Sequence, residues 1–280
     1  MQQAHITGIY CYPVKSLKGI ALDQGELTPL GLARDRRWMV VRADGRFLTQ
    51  REEPRLALVN TRLEVDGVVL WREGKGEWFL PFEDPGGARV SARVWNDECQ
   101  AVDEGSAASA WLTAAVDAPV ELRLVRMAPG FRRPQSQAER YGADTTTVFA
   151  DSAPFLVANQ ASLRALNDAL QEQGKATVPM DRFRPNLVVD GLTAFAEHRV
   201  HSLDGEGFSI DMVDHCVRCL VTTVDQQTGQ RDPEREPYLT LRRLNPAPVG
   251  RASPVFGQNA RLGRGAGRTI RPGMAMQITA

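Results

Sequence analysis

The chain has 280 residues, with 34 Lys and Arg against 34 Asp and Glu, and only four cysteines. A net charge of zero argues against a general polyanion binder such as a nucleic-acid protein, but not against a local anion pocket. So few cysteines do not suggest a secreted disulfide scaffold, and no apolar run reaches the ~18 residues that a membrane span needs. We therefore expect a cytoplasmic protein with reduced thiols that binds neither nucleic acid nor membrane.

The first half of the sequence is dominated by short strand patterns. The stretch "AHITGIYCYPVKS" has strand composition and ends in a turn marked by proline. Alternating residues on both sides of Asp44-Gly45 and of Asp66-Gly67 predict two hairpins, in "RRWMVVRADGRFLTQ" and "TRLEVDGVVLWRE". Further along, "GARVSARVWNDECQAVD" predicts another strand pair, Glu104–Val116 a short helix, and "VELRLVRM" a strand. The polar segment Pro129–Thr147 is the best candidate for a domain boundary or a functional loop.

The second half begins near Val148 with a predicted strand and then a helix, in "VFADSAPFLVANQASLRALNDALQEQG". Gly174 predicts the end of that helix. Its apolar stripe consists of Ala161, Leu163, Leu166, Ala169 and Leu170. Later strands are predicted in "RPNLVVDG", "EGFSIDMVD", "CLVTTVD" and "GMAMQIT". Together the patterns predict a mainly β protein with a few helices (a β-rich α+β class), arranged as two barrel-like units over residues 1–128 and 129–280.

Cys216 and Cys219 form a C-x-x-C pair whose spacing leaves several functions open. A structural zinc site needs four ligands, yet no second pair follows and only His215 adjoins this one. A redox dithiol usually begins a helix, whereas the "LVTTV" that follows here is strand-forming sequence. The third interpretation is two buried thiols that pack as small hydrophobic side chains.

Basic and polar side chains recur at the predicted turns and strand ends. Lys15 and Ser16 follow a proline in "YPVKSLKG", three arginines surround one aspartate in "LARDRRW", and Arg184 and Asn186 flank the proline of "FRPNLVV". None of these segments is a glycine-rich phosphate loop. Arginine binds phosphate bidentately and lysine and serine add single donors, so the set suits a phosphate and a polar heterocycle.

The motifs also occur in an order that resembles one known family. The chain resembles the MOSC-domain proteins that bind molybdenum cofactor and carry an N-terminal β-barrel extension, and it is most similar to the amidoxime-reducing component type. The resemblance implies an N-terminal β-barrel-like extension packed on a MOSC β-barrel. It rests on seven collinear blocks: "YPVKSLKG", "ARDRRWMVV", "TQREEPRLALV", "FADSAPFLVANQASLRALN", "FRPNLVV", "CVRCLVTTVDQQTG" and "SPVFGQNA".

The resemblance implies an answer for the cysteine pair. In this family the second cysteine of the C-x-R-C stretch binds molybdenum through its thiolate, which implies that Cys219 is the metal ligand and a catalytic residue here. A soft thiolate suits a metal that is already bound by sulfur. Cys216 is then expected to pack beside the site. Asp151 and Ser152 are expected near the metal, with Asp151 handling protons or orienting water.

The resemblance further implies which residues hold the organic part of the cofactor. Arg218 is expected to face its pterin and phosphate, and Phe256 of "SPVFGQNA" to close one wall of the pocket. The remaining implied cofactor contacts are Lys15, Ser16, Arg36, Arg184 and Asn186.

The implied activity is the molybdenum-cofactor-dependent reduction of N-hydroxylated small molecules to the amine, amidine or base. The sequence shows neither the cysteine spacing of a plant-type [2Fe–2S] domain nor a dinucleotide fingerprint, so we expect a separate electron-transfer protein and reductase to supply electrons. We also expect a monomer. Two alternatives are a carrier of molybdenum cofactor or sulfur that does not turn over, and a non-catalytic β protein with a zinc clip.

Overall fold

The structure is a computed structural model that describes residues 3–84, 86–133, 138–248 and 253–280. These residues form mainly β structure with four α-helices, as predicted. The helices are α1 (Ser106–Val116), α2 (Ala138–Tyr141), α3 (Gln160–Gln171) and α4 (Tyr238–Leu244). The strands are β1 (Gln3–Cys11), β2 (Val14–Lys15), β3 (Ile20–Ala21), β4 (Gly25–Thr28), β5 (Gly31–Leu32), β6 (Trp38–Arg42), β7 (Asn60–Leu63), β8 (Gly67–Trp71), β9 (Glu77–Pro81), β10 (Arg89–Val94), β11 (Asp97–Asp103), β12 (Leu122–Met127), β13 (Phe155–Asn159), β14 (Leu187–Asp190), β15 (Ser202–Gly205), β16 (Phe208–Val217), β17 (Val255–Arg264), β18 (Thr269–Ile270) and β19 (Ala275–Thr279).

Seven strands close into a barrel in the order β14-β13-β17-β16-β15-β19-β1, because β1 pairs back onto β14. Every neighbouring pair is antiparallel except the parallel pair of β13 and β14. Alternate side chains such as Ile6, Val157 and Ile210 point inward and fill the barrel with apolar contacts. The first strand of the chain therefore completes a barrel that is otherwise built from its second half.

The other β unit comes from the first half of the chain. Its main sheet has the order β10-β11-β12-β6-β2, accompanied by the three-stranded sheet of β7, β8 and β9. Helix α1 covers β12, and Leu112 of the helix joins Leu124, Trp38 and Leu70 in one buried core. Strand β2 pairs in parallel with β6, which leaves Lys15 at the end of this sheet.

Most local predictions are confirmed by the strand and helix bounds. The Asp66-Gly67 hairpin forms as β7 and β8, "GARVSARVWNDECQAVD" forms β10 and β11, and both predicted helices are present as α1 and α3. Helix α3 begins where the Asn159 side chain accepts a hydrogen bond from the Ala161 N–H at 3.0 Å. Around Asp44-Gly45 the turn forms, but beyond it Phe47 makes only an isolated bridge to Val41 rather than a second strand.

The predicted strand in "CLVTTVD" is wrong. Residues Leu220–Thr223 form a 3₁₀ turn, because the ladder between β16 and β17 ends at the pair Val217 and Val255. Past that point the hydroxyls of Thr222 and Thr223 donate to nearby carbonyls upstream, at 3.1 and 2.7 Å. Such local hydrogen bonds compete with sheet pairing and favour a tight turn.

The polar segment Pro129–Thr147 connects the two units, and residues 134–137 within it lie outside the described residues. No helix in the described segments is both long enough and apolar enough to cross a membrane.

Candidate functional site

A cleft with a cavity volume of about 370 Å³ lies between the two β units and is lined by residues from both. Nine of the ten predicted site residues line it, although they come from distant parts of the chain. Strand ends and turns supply all of them, because the sheets fix the position of each turn while the turn presents its side chains. The nine are Lys15, Ser16, Arg36, Asp151, Ser152, Arg184, Asn186, Arg218 and Cys219.

Lys15 and Asp151 form an ion pair in the cleft. The Lys15 ammonium is only 5% exposed and donates to Asp151 Oδ1 at 2.7 Å and to the Phe149 carbonyl at 2.8 Å. Burial lowers the pKa of Lys15, and Asp151 opposes that shift. The Asp151 side chain is 63% exposed, yet the surrounding cleft walls still disfavour its ionised form. Lys15 and the Trp95 indole N–H, 3.0 Å from Oδ1, outweigh that effect and hold the pKa of Asp151 well below its ordinary value. Asp151 is therefore an ionised carboxylate at neutral pH.

Arg36 and Arg184 both pack on the ring of Tyr12, with guanidinium carbons 4.6 and 4.3 Å from its centroid. Arg36 also binds the Asp35 carboxylate and donates to Asn186 Oδ1 at 3.1 Å. The Nη1 of Arg184 is buried and has no hydrogen-bond partner among the described residues. Burial lowers the pKa of Arg184, because its charge is removed from water. Arg184 thus offers an unpaired donor to an anionic or strongly polar ligand.

Backbone strain is concentrated around the same cleft. Eight non-glycine residues among the described ones have positive φ, and four of them line the cleft: Ser16, Arg36, Trp95 and Arg184, with φ of 72°, 48°, 56° and 54°. A side chain in this region costs about 1–3 kcal/mol, which the surrounding structure must offset. Such strain clusters where a side chain has to face a ligand, and it supports a functional role for the cleft.

Cys216 and Cys219 lie in different environments, and both thiols are free. Cys216 is half-buried near the end of β16, and burial raises its pKa despite the adjacent Arg218. Cys219 is exposed just beyond that strand, at the start of the 3₁₀ turn. Arg218 donates to Cys216 Sγ at 2.8 Å and to the Phe183 carbonyl at 2.9 Å, while its buried Nε has no partner in the described part of the chain. Both thiols line the cleft, and Cys219 is the more exposed of the two.

The protein alone does not offer a complete metal site in the segments that the structure describes. No group of three or more His, Cys, Asp or Glu side chains there is arranged to hold a metal ion. A metal bound to Cys219 must therefore take most of its ligands from a non-protein group. The zinc interpretation of the cysteine pair, which requires four protein ligands, gains no support from these residues.

Phe256 is the one predicted site residue that does not line the cleft. Its side chain is fully buried and stacks on Phe183, with ring centroids 3.8 Å apart and an interplanar angle of 21°. Phe183 does line the cleft, so Phe256 lies behind that wall and supports it.

Several cleft residues were missed by the sequence analysis. The block "TQREEPRLALV" belongs to the resemblance, yet no residue in it was singled out, and Thr49, Gln50 and Arg51 all line the cleft. Gln50 Nε2 donates to the Ser16 carbonyl at 2.8 Å and so fixes that strained turn. Trp95 lies in the tight turn of a predicted hairpin, a position at which a large aromatic side chain is an unusual choice. That local mismatch is a signal that sequence inspection could have found.

The cleft fits an anionic heterocyclic cofactor. Five basic and two acidic side chains line it, so its local charge is positive although the net charge of the protein is zero. The buried N–H groups of Arg184 and Arg218 that have no partner among the described residues add donors for a ligand in the cleft. A phosphate or pterin on these donors would lie in the same cleft as the exposed thiol of Cys219.

Comparison with known families matches residues 3–119 to the MOSC N-terminal beta barrel domain and residues 144–277 to the MOSC domain. The chain is 34% identical over 269 residues to the Homo sapiens protein named mitochondrial amidoxime-reducing component 1, an alignment that covers 92% of this chain and 78% of that protein. It is 32% identical over 268 residues to the Bos taurus protein named mitochondrial amidoxime reducing component 2, covering 91% and 78%. The resemblance found in the sequence is confirmed.

Proposed function

Because the chain belongs to the family of MOSC-domain proteins with an N-terminal MOSC β-barrel, we propose that it is a molybdenum-cofactor-dependent oxidoreductase that reduces N-hydroxylated compounds to the amine, amidine or base. One observation carries the proposal. Two buried arginine donors without partners in the described chain converge with an exposed thiol in one cleft.

Each group has a role that follows from its chemistry. Arg184 and Arg218 would bind the phosphate and pterin with their unpaired N–H groups, and Arg36 would add a third positive charge. The Cys219 thiolate would be the protein ligand of molybdenum, because a soft thiolate suits a metal that is already bound by the sulfur atoms of its cofactor. When bound, molybdenum supplies the two-electron redox chemistry, while the protein positions the substrate and controls proton access.

The reduction breaks one N–O bond, consumes two electrons and two protons, and releases water. Asp151 is ionised and its side chain is 63% exposed to the cleft. An ionised carboxylate is a hydrogen-bond acceptor rather than a proton donor at neutral pH. We therefore assign Asp151 to orienting a substrate N–H group or the departing water, with Lys15 and Trp95 fixing its position.

Electrons would come from a separate electron-transfer protein and its reductase. We retain a monomer in the cytoplasm as a prediction for this chain. The relatives named above are called mitochondrial, a term that applies to those proteins.

The test is metal and pterin analysis of protein purified from a host that makes molybdenum cofactor, followed by turnover with a reduced viologen. We expect molybdenum and pterin in equal amounts and loss of the hydroxyl oxygen from an N-hydroxylated amidine. Molybdenum and pterin without turnover of any N-hydroxylated compound would favour the carrier alternative. Zinc without pterin would favour the zinc-clip alternative.

A further inference from the structure

Trp95 lies in a tight hairpin turn, where the backbone conformation disfavours a large aromatic residue. It is the first of the two residues that connect β10 to β11, between the paired residues Val94 and Asp97. Its φ of 56° lies in the left-handed region, which glycine adopts at no steric cost and a large aromatic residue adopts only under strain. The indole is nevertheless 46% exposed rather than buried as a core residue. The hairpin thus holds a strained, exposed tryptophan at the cleft, and folding alone does not account for it.

The contacts of Trp95 fix its ring beside Asp151. The indole N–H donates to Asp151 Oδ1 at 3.0 Å. The ring packs edge-on against Phe47 at a centroid distance of 5.1 Å, and the Arg51 guanidinium lies 4.3 Å from the centroid of the indole. These contacts place an aromatic surface directly beside an ionised carboxylate in one cleft.

None of the roles assigned above uses this aromatic surface. The cofactor-binding arginines Arg36 and Arg184 pack on Tyr12, and Arg218 lies near the ring of Phe183, so each has its own aromatic partner. Arg51 covers part of the Trp95 ring, but Trp95 lines the cleft and is still 46% exposed, so the exposed part of the ring is available to the substrate.

We infer that Trp95 determines substrate specificity by stacking a planar aromatic substituent of the substrate while Asp151 accepts a hydrogen bond from the adjacent amidine nitrogen. The inference rests on the proposed function, and what it adds is the residue that favours aryl over alkyl substituents among N-hydroxylated substrates. In aryl-substituted amidines the ring is bonded directly to the amidine carbon. A ring stacked on the indole therefore brings the amidine nitrogens close to Asp151, the carboxylate to which the indole N–H is hydrogen-bonded. Aromatic pairs of this kind change affinity by about two- to tenfold.

The experiment compares benzamidoxime with acetamidoxime, using molybdenum-loaded protein and a reduced viologen. Trp95→Leu removes the ring, whereas Trp95→Phe keeps a ring and removes only the indole N–H. We expect Trp95→Leu to reduce the preference in kcat/KM for the aryl over the alkyl substrate by about two- to tenfold, mainly through KM.

Trp95→Phe should retain most of that preference and lower kcat for both substrates, because Asp151 loses one donor. Phe79→Leu, at a 44% exposed aromatic residue that is not among the cleft-lining residues, is the matched control and should change neither value.

An unchanged aryl preference in Trp95→Leu, or an equal loss of it in Trp95→Phe, would overturn the inference while leaving the proposed function intact. A wild-type protein that reduces neither compound would instead overturn the proposed function. In that case calorimetric binding of benzamidine and acetamidine to the same proteins still decides the role of Trp95. Tighter binding of benzamidine than of acetamidine to the wild type, with the difference lost in Trp95→Leu, supports a stacking role for Trp95. Equal binding of the two compounds to the wild type refutes that role.

Discussion

The Nη1 atom of Arg218 donates a hydrogen bond to Cys216 Sγ at 2.8 Å, so the first cysteine of "CVRC" binds the arginine that separates it from the second. The same guanidinium donates to the Phe183 carbonyl at 2.9 Å, which ties the end of β16 to the wall of the cleft. Cys219 lies outside this arrangement and is exposed. We therefore propose separate roles for the two thiols of this short motif, with Cys216 orienting Arg218 and Cys219 facing the ligand.

The first prediction concerns these two cysteines. Cys219→Ser should lose N-reductive activity and change the sulfur coordination of molybdenum, because serine does not supply the soft thiolate. Cys216→Ser should keep substantial activity, since a serine oxygen can still accept from Arg218. X-ray absorption at the molybdenum edge and viologen-driven turnover measure both effects. Full activity in Cys219→Ser would exclude it as the essential ligand.

The second prediction concerns the unpaired arginine. Arg184→Ala should lower cofactor affinity roughly ten- to a hundredfold, because one hydrogen bond to a charged group contributes about 1.5–3 kcal/mol. The protein should stay folded and purify with less pterin. Arg164→Ala, which removes an exposed arginine paired with Asp190 at 3.0 Å, is the matched control and should retain wild-type pterin content. Equal pterin in the two variants would argue against a cofactor contact at Arg184.

The third prediction concerns the support behind the cleft. Phe256→Ala should lower the free energy of unfolding by about 3–5 kcal/mol, because it removes a fully buried ring and leaves a cavity beside Phe183. Phe79→Ala, at an exposed ring, should cost no more than about 0.5 kcal/mol. Urea unfolding followed by circular dichroism measures both. The idea that Phe256 stabilises the wall fails if the two losses are alike.

The fourth prediction concerns electron supply. With Cys219 assigned to molybdenum, the remaining Cys11, Cys99 and Cys216 are too few for a four-cysteine iron–sulfur cluster. The purified chain should reduce an N-hydroxylated substrate with a reduced viologen, but not with NADH or NADPH alone. Activity with NAD(P)H should appear when a flavin reductase and a ferredoxin- or cytochrome-type carrier are added. Because charge-steered docking is screened by salt, that activity should fall as ionic strength rises. Robust turnover of the isolated chain by NAD(P)H would reveal a second cofactor site.

The fifth prediction concerns stability against pH. Burial and the stacked ring of His198, 4.5 Å away, lower the pKa of His215 from its ordinary value of 6.5, and Asp214 only partly opposes this. The unfolded chain then binds more protons than the folded one just below pH 6.5, so the free energy of unfolding falls as the pH drops through that range. Melting temperatures at about pH 8 and about pH 5.5 should differ less for His215→Gln than for the wild type. His201→Gln, at an exposed histidine, should keep the wild-type difference.

The local sequence was sufficient to predict most of the secondary structure, and its motifs selected residues that lie together in one cleft. Helices α1 and α3 and the hairpin of β7 and β8 follow from side-chain periodicity and turn residues, which act over a few positions. The collinear motifs likewise identified nine residues that line one cleft. Two predicted strands are wrong. After Asp44-Gly45 only an isolated bridge forms at Phe47. At Leu220–Thr223 a 3₁₀ turn replaces the strand, because its threonine hydroxyls bond to the nearby backbone instead of the segment pairing with a neighbouring strand.

The tertiary structure decided how these residues meet. No local pattern predicts that β1 closes the barrel against β14, or that Arg36 and Arg184 share the ring of Tyr12. Local patterns also do not predict that Phe256 lies behind the Phe183 wall of the cleft while Trp95 faces the cleft. Strand pairing and side-chain packing join residues far apart in the chain, so their outcome depends on the whole set of contacts rather than on any single segment. Local sequence therefore indicated most of the chemical groups that were expected in the cleft, and long-range packing determined which of them are buried, unpaired or exposed.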